Sequence, residues 1–380
     1  MRLFICTHYS ANYGANKSLL DLIKGFLELK YEIIVVLPSQ GDFVAVLKAE
    51  NVNYHIHPFY TMTYKPWRKS ALFKKKYQQK NKQAVEALIP FVEAFKPDYI
   101  YSNSSVLGIG AQLAQQTNIP HLWHLREMAE LHYHYKFYPS KQAFENLLKE
   151  AKLLIPISKA VHQAVVAPLQ LTNYKVLSDA VFGRKDFEQL LEGQNTRWTT
   201  NKEKIIFLTV GLLHPSKQQA LTIQAFAHLA QQYPQAELWI AGDGSVLYKK
   251  YLEWLIAKNK LGDRVKLLGY VKDMPALYHQ SDVVVVASMH EGLGRTTIEG
   301  MAYEKAILGL NSGATTELIQ HETTGLLFEN NSQSLEAAMR QVISNPQVRI
   351  AMGKAGRLFV REHFLIEDYV AQLHKILVGL

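Results

Sequence analysis

Short apolar segments alternate with amphipathic stretches along most of the chain. Five segments before residue 180 predict buried strands, at 3–7, 32–37, 98–103, 121–124 and 153–158. Five more follow the polar stretch 179–203, at 204–211, 236–242, 264–269, 282–288 and 305–310. Helical spacing occurs at 18–29 and 218–233, and two or three helices are expected after Asn345. This alternation predicts an α/β fold whose parallel sheets are covered by helices on both faces.

The interruption at 179–203 divides this pattern into two doubly wound domains in tandem. We expect a first domain over 1–180, a linker over 181–203 and a second domain over 204–361. The last helix, at about 362–380, is expected to pack back on the first domain. Ligands of such folds bind outside the carboxyl ends of the strands. Two facing domains would therefore place a ligand in a central cleft.

Composition narrows the class of protein. The chain has 380 residues and is 48% hydrophobic, which is enough to bury two cores. Cys6 is its single cysteine, which excludes a disulfide framework within one chain and fits a reducing cytoplasm. The longest apolar runs are far shorter than the ~20 residues that span a bilayer. We therefore expect a cytoplasmic protein without a membrane span.

Positive charge is concentrated in the first half of the chain. The net charge is +9, and residues 1–180 carry 21 Lys and Arg against 13 Asp and Glu. Eight basic side chains and no acidic one lie in the segment 65–82, here called the basic segment. Apolar side chains accompany them, namely Trp67, Leu72, Phe73 and Tyr77. This composition favours docking on an anionic membrane surface or an anionic acceptor through Lys74, Lys75 and Lys76. The alternative is a solvated loop and helix, and no nucleic-acid motif accompanies the segment.

The most informative motif is MHEGLGR, residues 289–295, which follows a predicted strand and opens a helix. Gly292 and Gly294, on either side of Leu293, would let the backbone approach a ligand closely. A helix N-terminus offers free N–H groups to phosphate. Glu291 and Glu299 would be repelled by a diphosphate but could accept hydrogen bonds from sugar hydroxyls. The alternative is a helix cap and a solvated glutamate.

Two further loops repeat this arrangement of strand, loop and helix. Gly211 ends a predicted strand, and Lys217 stands before the following helix, where a phosphate would need a cation. In the first domain, the loop before the helix at 18–29 contains Gly14. A single loop glycine is a weak indication of an anion site.

These residues give the chain a resemblance to retaining glycosyltransferase family 4, of GT-B fold. The family's loop with two glutamates resembles EGLGRTTIEGMA, which matches Glu291 and Glu299. The family's first-domain glycine loop resembles YGANKSL at 13–19, and its strand-end histidine resembles His124. The chain departs from the family at Leu212, where an arginine that binds the donor diphosphate is usual. Arg295 is a candidate substitute for it.

The resemblance implies transfer of a sugar from a nucleotide-sugar donor to a hydroxyl acceptor, with retention and without a cofactor. Glu291, His124 and Lys217 are the catalytic candidates. The donor would contact further residues, namely Gly14, Gly211, Gly292, Leu293, Gly294, Arg295 and Glu299. Arg126 joins the three lysines on the acceptor or membrane side. A UDP-sugar is the expected donor, with a GDP-sugar as an alternative.

The chain has no Asp-x-Asp motif, so we expect no metal at the donor site. The acceptor is expected to be lipid-linked or a glycan, as in the assembly of bacterial surface polysaccharides. The loss of the usual arginine at Leu212 keeps a second hypothesis open, a non-catalytic partner subunit of an active glycosyltransferase. A sugar-nucleotide epimerase of related fold fits the glutamate pair less well.

Overall fold

The computed structural model describes residues 1–65, 70–192 and 204–380. The chain divides into two compact units. Unit 1 comprises Met1–Ala180 and Ile366–Leu380, and unit 2 comprises Val181–Leu365. Each unit contains one six-stranded parallel sheet.

Unit 1 contains eight strands among its described residues. They are β1 (Arg2–Cys6), β2 (Glu32–Leu37), β3 (Asn53–Ile56), β4 (Thr63–Tyr64), β5 (Tyr99–Ser102), β6 (His121–Leu125), β7 (Lys136–Phe137) and β8 (Leu153–Pro156). The main sheet has the order β3-β2-β1-β5-β6-β8, and β4 pairs with β7 in a small antiparallel ribbon. Phe4 of β1 lies beside Ile34 of β2 and Ile100 of β5.

Helices cover both faces of this sheet. They are α1 (Gly14–Glu28), α2 (Asp42–Ala49), α3 (Ala71–Phe95), α4 (Ile109–Thr117), α5 (Ala129–Tyr133), α6 (Lys141–Glu150) and α7 (Lys159–Val161). Successive side chains of β1 point to opposite faces, as a strand requires. Leu3 and Ile5 therefore join the core that contains α1, whereas Phe4 and Cys6 join the core that contains α3 and α4.

Unit 2 repeats the same strand order in its own sheet. Its strands are β9 (Ile205–Val210), β10 (Ala236–Ala241), β11 (Val265–Gly269), β12 (Val283–Val286), β13 (Ala306–Leu310) and β14 (Gly325–Phe328), in the order β11-β10-β9-β12-β13-β14. The four valines of β12 are buried, as is typical of a central parallel strand. Both sheets thus have the doubly wound order of the Rossmann fold, which confirms the predicted fold class.

The remaining helices connect and cover the strands of unit 2, except for the last, which returns to unit 1. They are α8 (Arg184–Gln189), α9 (Gln219–Gln232), α10 (Val246–Lys258), α11 (Met274–Gln280), α12 (Arg295–Ala302), α13 (Thr315–Leu318), α14 (Ser332–Ser344), α15 (Pro346–His363) and α16 (Ile366–Val378). Helix α16 packs on α1, where Gly25 leaves room for Val370. The hydroxyl of Tyr31 lies 2.8 Å from Nδ1 of His374 and ties α16 to the end of α1.

Four strands were not predicted from the sequence, namely β3, β4, β7 and β14. Strand β3 is an edge strand whose residues NYHI have little apolar pattern, and β4 and β7 have only two residues each. Strand β14 is an edge strand of unit 2 and has only four residues. Part of the predicted linker contains helix α8. The rest of the linker, 193–203, lies outside the described residues, as do Trp67 and its neighbours at 66–69.

Candidate functional site

The carboxyl edge of the unit 2 sheet brings together the loops that the sequence singled out. Strands β9 and β12 are neighbours, and the strand order reverses between them. The loop after β9 contains Gly211 and Lys217, and the loop after β12 contains Glu291 and Gly292. A ligand of a doubly wound sheet binds at such a switch point. The fold therefore places these residues at the expected binding position of unit 2.

Lys217 and Glu291 form an ion pair between these two loops. Nζ of Lys217 lies 2.5 Å from Oε1 of Glu291, with side chains that are 21% and 15% exposed. Lys217 ends a short 3₁₀ turn, Pro215–Lys217, which is capped by the side chain of His214. The amide of Met289 donates to the carbonyl of Ser216 and joins the loops. The sequence predicted both residues as site residues but did not predict that they contact each other.

Backbone conformation explains the glycines that border this pair. Gly211 has a φ of 148° and Gly294 a φ of 89°. Residues that carry a side chain rarely adopt such positive φ values. Gly294 precedes α12, so the first N–H groups of that helix open toward the loop. Gly292 is partly exposed and Leu293 is buried. Leu293 is therefore in the core, where it anchors the loop.

A third loop, after β13, contacts the backbone of Glu291. The amide of Ala314 donates to the carbonyl of Glu291 at 3.0 Å. A Cβ atom at Gly313 would lie 2.8 Å from the Glu291 nitrogen, so only glycine fits there without displacing the loop. Gly313 was not predicted from the sequence, although the segment NSGATTE also places a glycine in a polar loop after an apolar strand.

Glu299 projects from α12 into a partly buried aromatic environment. The Tyr278 hydroxyl donates to Oε2 of Glu299 at 2.8 Å, and Nε of Arg295 lies 3.8 Å from Oε1. Burial and the adjacent carboxylate raise the pKa of Tyr278 well above its ordinary value, so its hydroxyl stays protonated and donating. Tyr303 stacks on Tyr278 with ring centroids 5.2 Å apart. Neither tyrosine was predicted from the sequence, because both positions have the spacing of ordinary core residues.

Leu212 stands where an arginine was expected, and Arg295 is the predicted substitute for it. The Leu212 side chain is largely exposed beside the Lys217 loop. Arg295 begins α12 and pairs with Glu299 rather than pointing freely toward solvent. Leu212 follows β9 and Arg295 follows the loop after β12, so both lie at the carboxyl edge of the same sheet. The structure thus supplies two cations there, Lys217 and Arg295, each paired with a glutamate.

In unit 1, His124 belongs to a buried polar cluster. Its Nδ1 lies 2.5 Å from the Tyr101 hydroxyl, and its Nε2 lies 3.7 Å from Oδ1 of Asp179. Burial, with the Arg126 charge adding to it, lowers the pKa of His124 to about 3. The ring is therefore neutral near pH 7. The position at the end of β6 agrees with the predicted strand end, and the cluster holds the ring in one orientation.

Arg126 occupies the same cluster and not an exposed surface. It is buried, donates to Asn103 at 2.8 Å and forms an ion pair with Asp179. A buried, paired guanidinium cannot contact a membrane. The expected membrane contact of Arg126 therefore does not agree with this environment, whereas its alternative, a contact with the acceptor, stays a prediction.

The other predicted residues of unit 1 are exposed, except for Lys74, which is half-buried. Gly14 is the first residue of α1, and the loop before it is fixed by Asn16, which donates to the carbonyls of Tyr9 and Ala11. Lys75 and Lys76 are exposed on α3, and Nζ of Lys74 lies 4.4 Å from the centre of the Tyr64 ring. These lysines therefore form part of the surface of unit 1.

Neither a metal site nor a membrane span is found in the described part of the chain. No group of three or more His, Cys, Asp or Glu side chains among residues 1–65, 70–192 and 204–380 is arranged to hold a metal ion. Over the same ranges, no helix combines the length and the apolar character needed to cross a bilayer.

Comparison with known proteins connects this geometry to a family. Residues 193–359 match the family described as glycosyl transferases group 1. The chain is 27% identical over 191 residues to the human alpha-1,3/1,6-mannosyltransferase ALG2, covering 47% of this chain and 46% of that protein. It is also 27% identical to the lipopolysaccharide core biosynthesis mannosyltransferase LpcC of Rhizobium leguminosarum bv. viciae, covering 41% of this chain and 46% of that one. The chain thus spans about half the length of these curated relatives.

The fold is also shared with solved structures. Anabaena Alr3699/HepE, solved in complex with UDP-glucose, superposes with a TM-score of 0.78 at 22% identity, over 100% of both chains. The lipopolysaccharide outer core galactosyltransferase WaaB, in its apo form, superposes with a TM-score of 0.73 at 14% identity, again over 100% of both. These similarities show the GT-B fold.

Proposed function

We propose that the chain transfers a sugar from a nucleotide-sugar donor to a hydroxyl acceptor, and the match of residues 193–359 to the glycosyl transferases group 1 family supports this proposal. The observation that carries the proposal is the Lys217–Glu291 pair at the switch point of the unit 2 sheet, beside the N-terminus of α12. A cation, a carboxylate and free N–H groups at one edge suit a ligand that has a diphosphate next to hydroxyl groups.

Charge balance explains how a donor would use this pair. Without a donor, Lys217 neutralises Glu291. A bound diphosphate would compete for Lys217, because it presents more negative charge than one carboxylate. Glu291 would then be available to accept hydrogen bonds from the hydroxyls of the transferred sugar. One ion pair thus fixes the orientation of both groups before binding.

Glu299 is the proposed partner of the nucleoside part of the donor. Its Oε2 is fixed by Tyr278, and its second oxygen lies near Arg295. A carboxylate fixed in this way accepts hydrogen bonds from vicinal hydroxyls such as those of a ribose. Arg295 then remains near the leaving phosphate groups, where it adds positive charge in the absence of an arginine at Leu212.

The proposed mechanism is electrostatic and retaining. Bond cleavage would place negative charge on the departing diphosphate and positive charge on the sugar ring. Lys217, Arg295 and the N-terminus of α12 stabilise the developing phosphate charge. The leaving phosphate takes the acceptor's proton on the face from which it departs, which gives retention without a protein nucleophile. Side chains and backbone N–H groups neutralise the diphosphate, so no metal is required in this proposal.

The proposed donor is a UDP-sugar, and the proposed acceptor is a glycan or a lipid-linked hydroxyl. The UDP-glucose complex of a protein of the same fold supports the donor. A relative that acts in lipopolysaccharide core synthesis supports an acceptor in cell-surface polysaccharide assembly. A cytoplasmic location, peripheral to the membrane through the basic segment, is part of the same proposal.

A thermal-shift screen of UDP, GDP and their sugars tests the donor site. A ligand at 100 times its dissociation constant stabilises the folded state by ~2.7 kcal/mol. The stabilising nucleotide sugar is then incubated with the purified chain, and release of nucleoside diphosphate is measured. Stabilisation followed by hydrolysis supports the enzyme. Failure of every nucleotide sugar to bind would favour the non-catalytic partner subunit instead.

A further inference from the structure

Helix α10 of unit 2 has an apolar face that no part of its own unit covers. Leu247, Tyr251 and Trp254 are spaced i, i+4 and i+7, so they share one side of the helix. Their exposed fractions are 80%, 42% and 53%. The side of the helix that faces the core carries Leu252, Leu255 and Ile256, which are buried. The core therefore accounts for one apolar face of α10 and leaves the other in solvent.

The exposed residues are arranged as one surface. The rings of Tyr251 and Trp254 stack with centroids 5.9 Å apart and an interplanar angle of 20°. Nζ of Lys258 lies 4.9 Å from the centre of the Trp254 ring. Large apolar side chains placed contiguously on a surface, rather than singly, mark interaction sites. We call Leu247, Lys250, Tyr251, Trp254 and Lys258 the α10 face.

The charges on the α10 face decide between possible partners. Lys250 and Lys258 lie on the same side as the aromatic residues, whereas Glu253 stands about 100° around the helix from Trp254. A second copy docked symmetrically would bring these lysines near each other, in a chain whose net charge is already +9. An anionic surface instead complements both lysines.

We propose that the α10 face docks on an anionic lipid bilayer. Tyr and Trp have an apolar ring and a polar edge, which suits the depth of lipid headgroups. The Leu247 side chain enters the acyl boundary below them. Lys250 and Lys258 extend their apolar stems along the same surface and place their ammonium groups at lipid phosphates. This surface is separate from the basic segment of unit 1 and independent of the sugar-transfer proposal.

Trp254 reports directly on this docking. The chain is mixed with vesicles of phosphatidylglycerol and phosphatidylcholine in which part of the acyl chains is brominated, and tryptophan fluorescence is compared with that of Trp254→Phe. The other four tryptophans, Trp67, Trp123, Trp198 and Trp239, are present in both proteins, so the difference between the two fluorescence signals isolates Trp254. We expect Trp254 to be quenched by brominated anionic vesicles and much less by brominated neutral ones.

Matched double variants test the role of the lysines. Lys250→Gln with Lys258→Gln removes two charges from the α10 face, and Lys249→Gln with Lys260→Gln removes two charges next to it. We expect the first pair to weaken sedimentation with anionic vesicles about tenfold and the second pair to have a smaller effect. Leu247→Gln with Trp254→Gln should weaken binding at least as much, with the change persisting in high salt because it removes apolar contact.

Equal losses from the two lysine pairs, or unquenched Trp254 on vesicles that bind the protein, would overturn the proposal. Concentration-dependent dimers that disappear in Leu247→Gln with Trp254→Gln would assign the face to a second copy instead. Unchanged thermal midpoints, with unchanged far-ultraviolet circular dichroism, show that each variant is folded. Because neither control requires sugar transfer, the outcome does not depend on the proposed activity.

Discussion

Substitutions at the two members of the Lys217–Glu291 ion pair should affect UDP binding in opposite ways. Lys217→Ala leaves the Glu291 carboxylate uncompensated beside the diphosphate, so UDP should bind at least tenfold more weakly. Lys217→Arg retains the charge and should lose less. Glu291→Gln releases Lys217 from its partner, so UDP should bind as tightly as to the wild type or more tightly. The same variant should lose most sugar transfer, because an amide replaces the carboxylate that accepts from the sugar.

Calorimetric titration with UDP and an assay of transfer or donor hydrolysis measure these two quantities separately. Lys354→Ala, which removes an exposed lysine of α15, serves as a control for the loss of a positive charge elsewhere in unit 2. Weaker UDP binding by Glu291→Gln than by Lys217→Ala would contradict the proposed division of roles.

Buried histidines make the stability of unit 1 sensitive to acid. Burial lowers the pKa of His121 to about 3, and its Nε2 lies 2.9 Å from the Ser102 hydroxyl. The unfolded chain takes up a proton near pH 6.5 while the folded chain does not, so stability is present above that pH and falls on acidification toward pH 3. The contribution of one such histidine between pH 7 and pH 5 is about 2 kcal/mol.

His121→Gln, which retains a polar atom near the position of Nε2, tests this effect. The free energy of unfolding, measured by urea denaturation, should fall less between pH 7 and pH 5 in the variant than in the wild type. An equal pH dependence of the two proteins would mean that His121 is not the titrating group.

The sequence showed the residues that carry charge at the unit 2 site but not their surroundings. Glu291, Glu299 and Lys217 stand out because they are polar residues after apolar strands. Tyr278 contacts Glu299 from 21 residues away along the chain. Gly313 approaches Glu291 from the loop after the next strand. Such contacts depend on tertiary packing, which spacing along the chain does not reveal.

At the scale of elements, the contact between α1 and α16 requires a glycine. A Cβ atom at Gly25 would lie 2.5 Å from Cγ2 of Val370. Alanine normally stabilises a helix interior by up to ~1 kcal/mol relative to glycine, but overpacking costs about 1–3 kcal/mol. Gly25→Ala should therefore destabilise the protein.

Adding Val370→Ala should restore part of that loss, since the smaller side chain leaves room for the new methyl group. The double variant should be more stable than the sum of the two single changes predicts, by about 1 kcal/mol or more. Chemical denaturation of the four proteins completes the cycle. Strict additivity would show that α16 shifts freely and that Gly25 is not required for the contact.

Strands were predictable where apolar runs are continuous. Both ends of β12 were predicted within two residues, because the apolar run VVVVA between Asp282 and Ser288 is a strong signal. Strand β3 was missed because an edge strand is half exposed and its residues NYHI mix polar and apolar side chains. Helix α8 was missed because its six residues are too few to show helical periodicity.

For the whole molecule, the distribution of charge leads to the final prediction. Unit 1 carries 22 Lys and Arg against 15 Asp and Glu, and unit 2 carries 20 against 18. The excess positive charge therefore belongs to the unit that contains the basic segment. Its lysines at 74–76 occupy the first turns of α3, with Lys75 and Lys76 exposed and Leu72 beside them in solvent.

Neutralising Lys74, Lys75 and Lys76 together to glutamine should weaken sedimentation with anionic vesicles. Each basic residue near such a surface contributes ~1 kcal/mol, so the loss should exceed tenfold at low salt. It should shrink as salt rises, because the Debye length falls from ~10 Å at 0.1 M to ~3 Å at 1 M. Donor hydrolysis should be unchanged, since Lys217 and Glu291 lie in unit 2. Equal binding of wild type and variant to anionic and neutral vesicles would assign the basic segment to a solvated surface, because a membrane contact made through charge must respond to both the lipid and the salt.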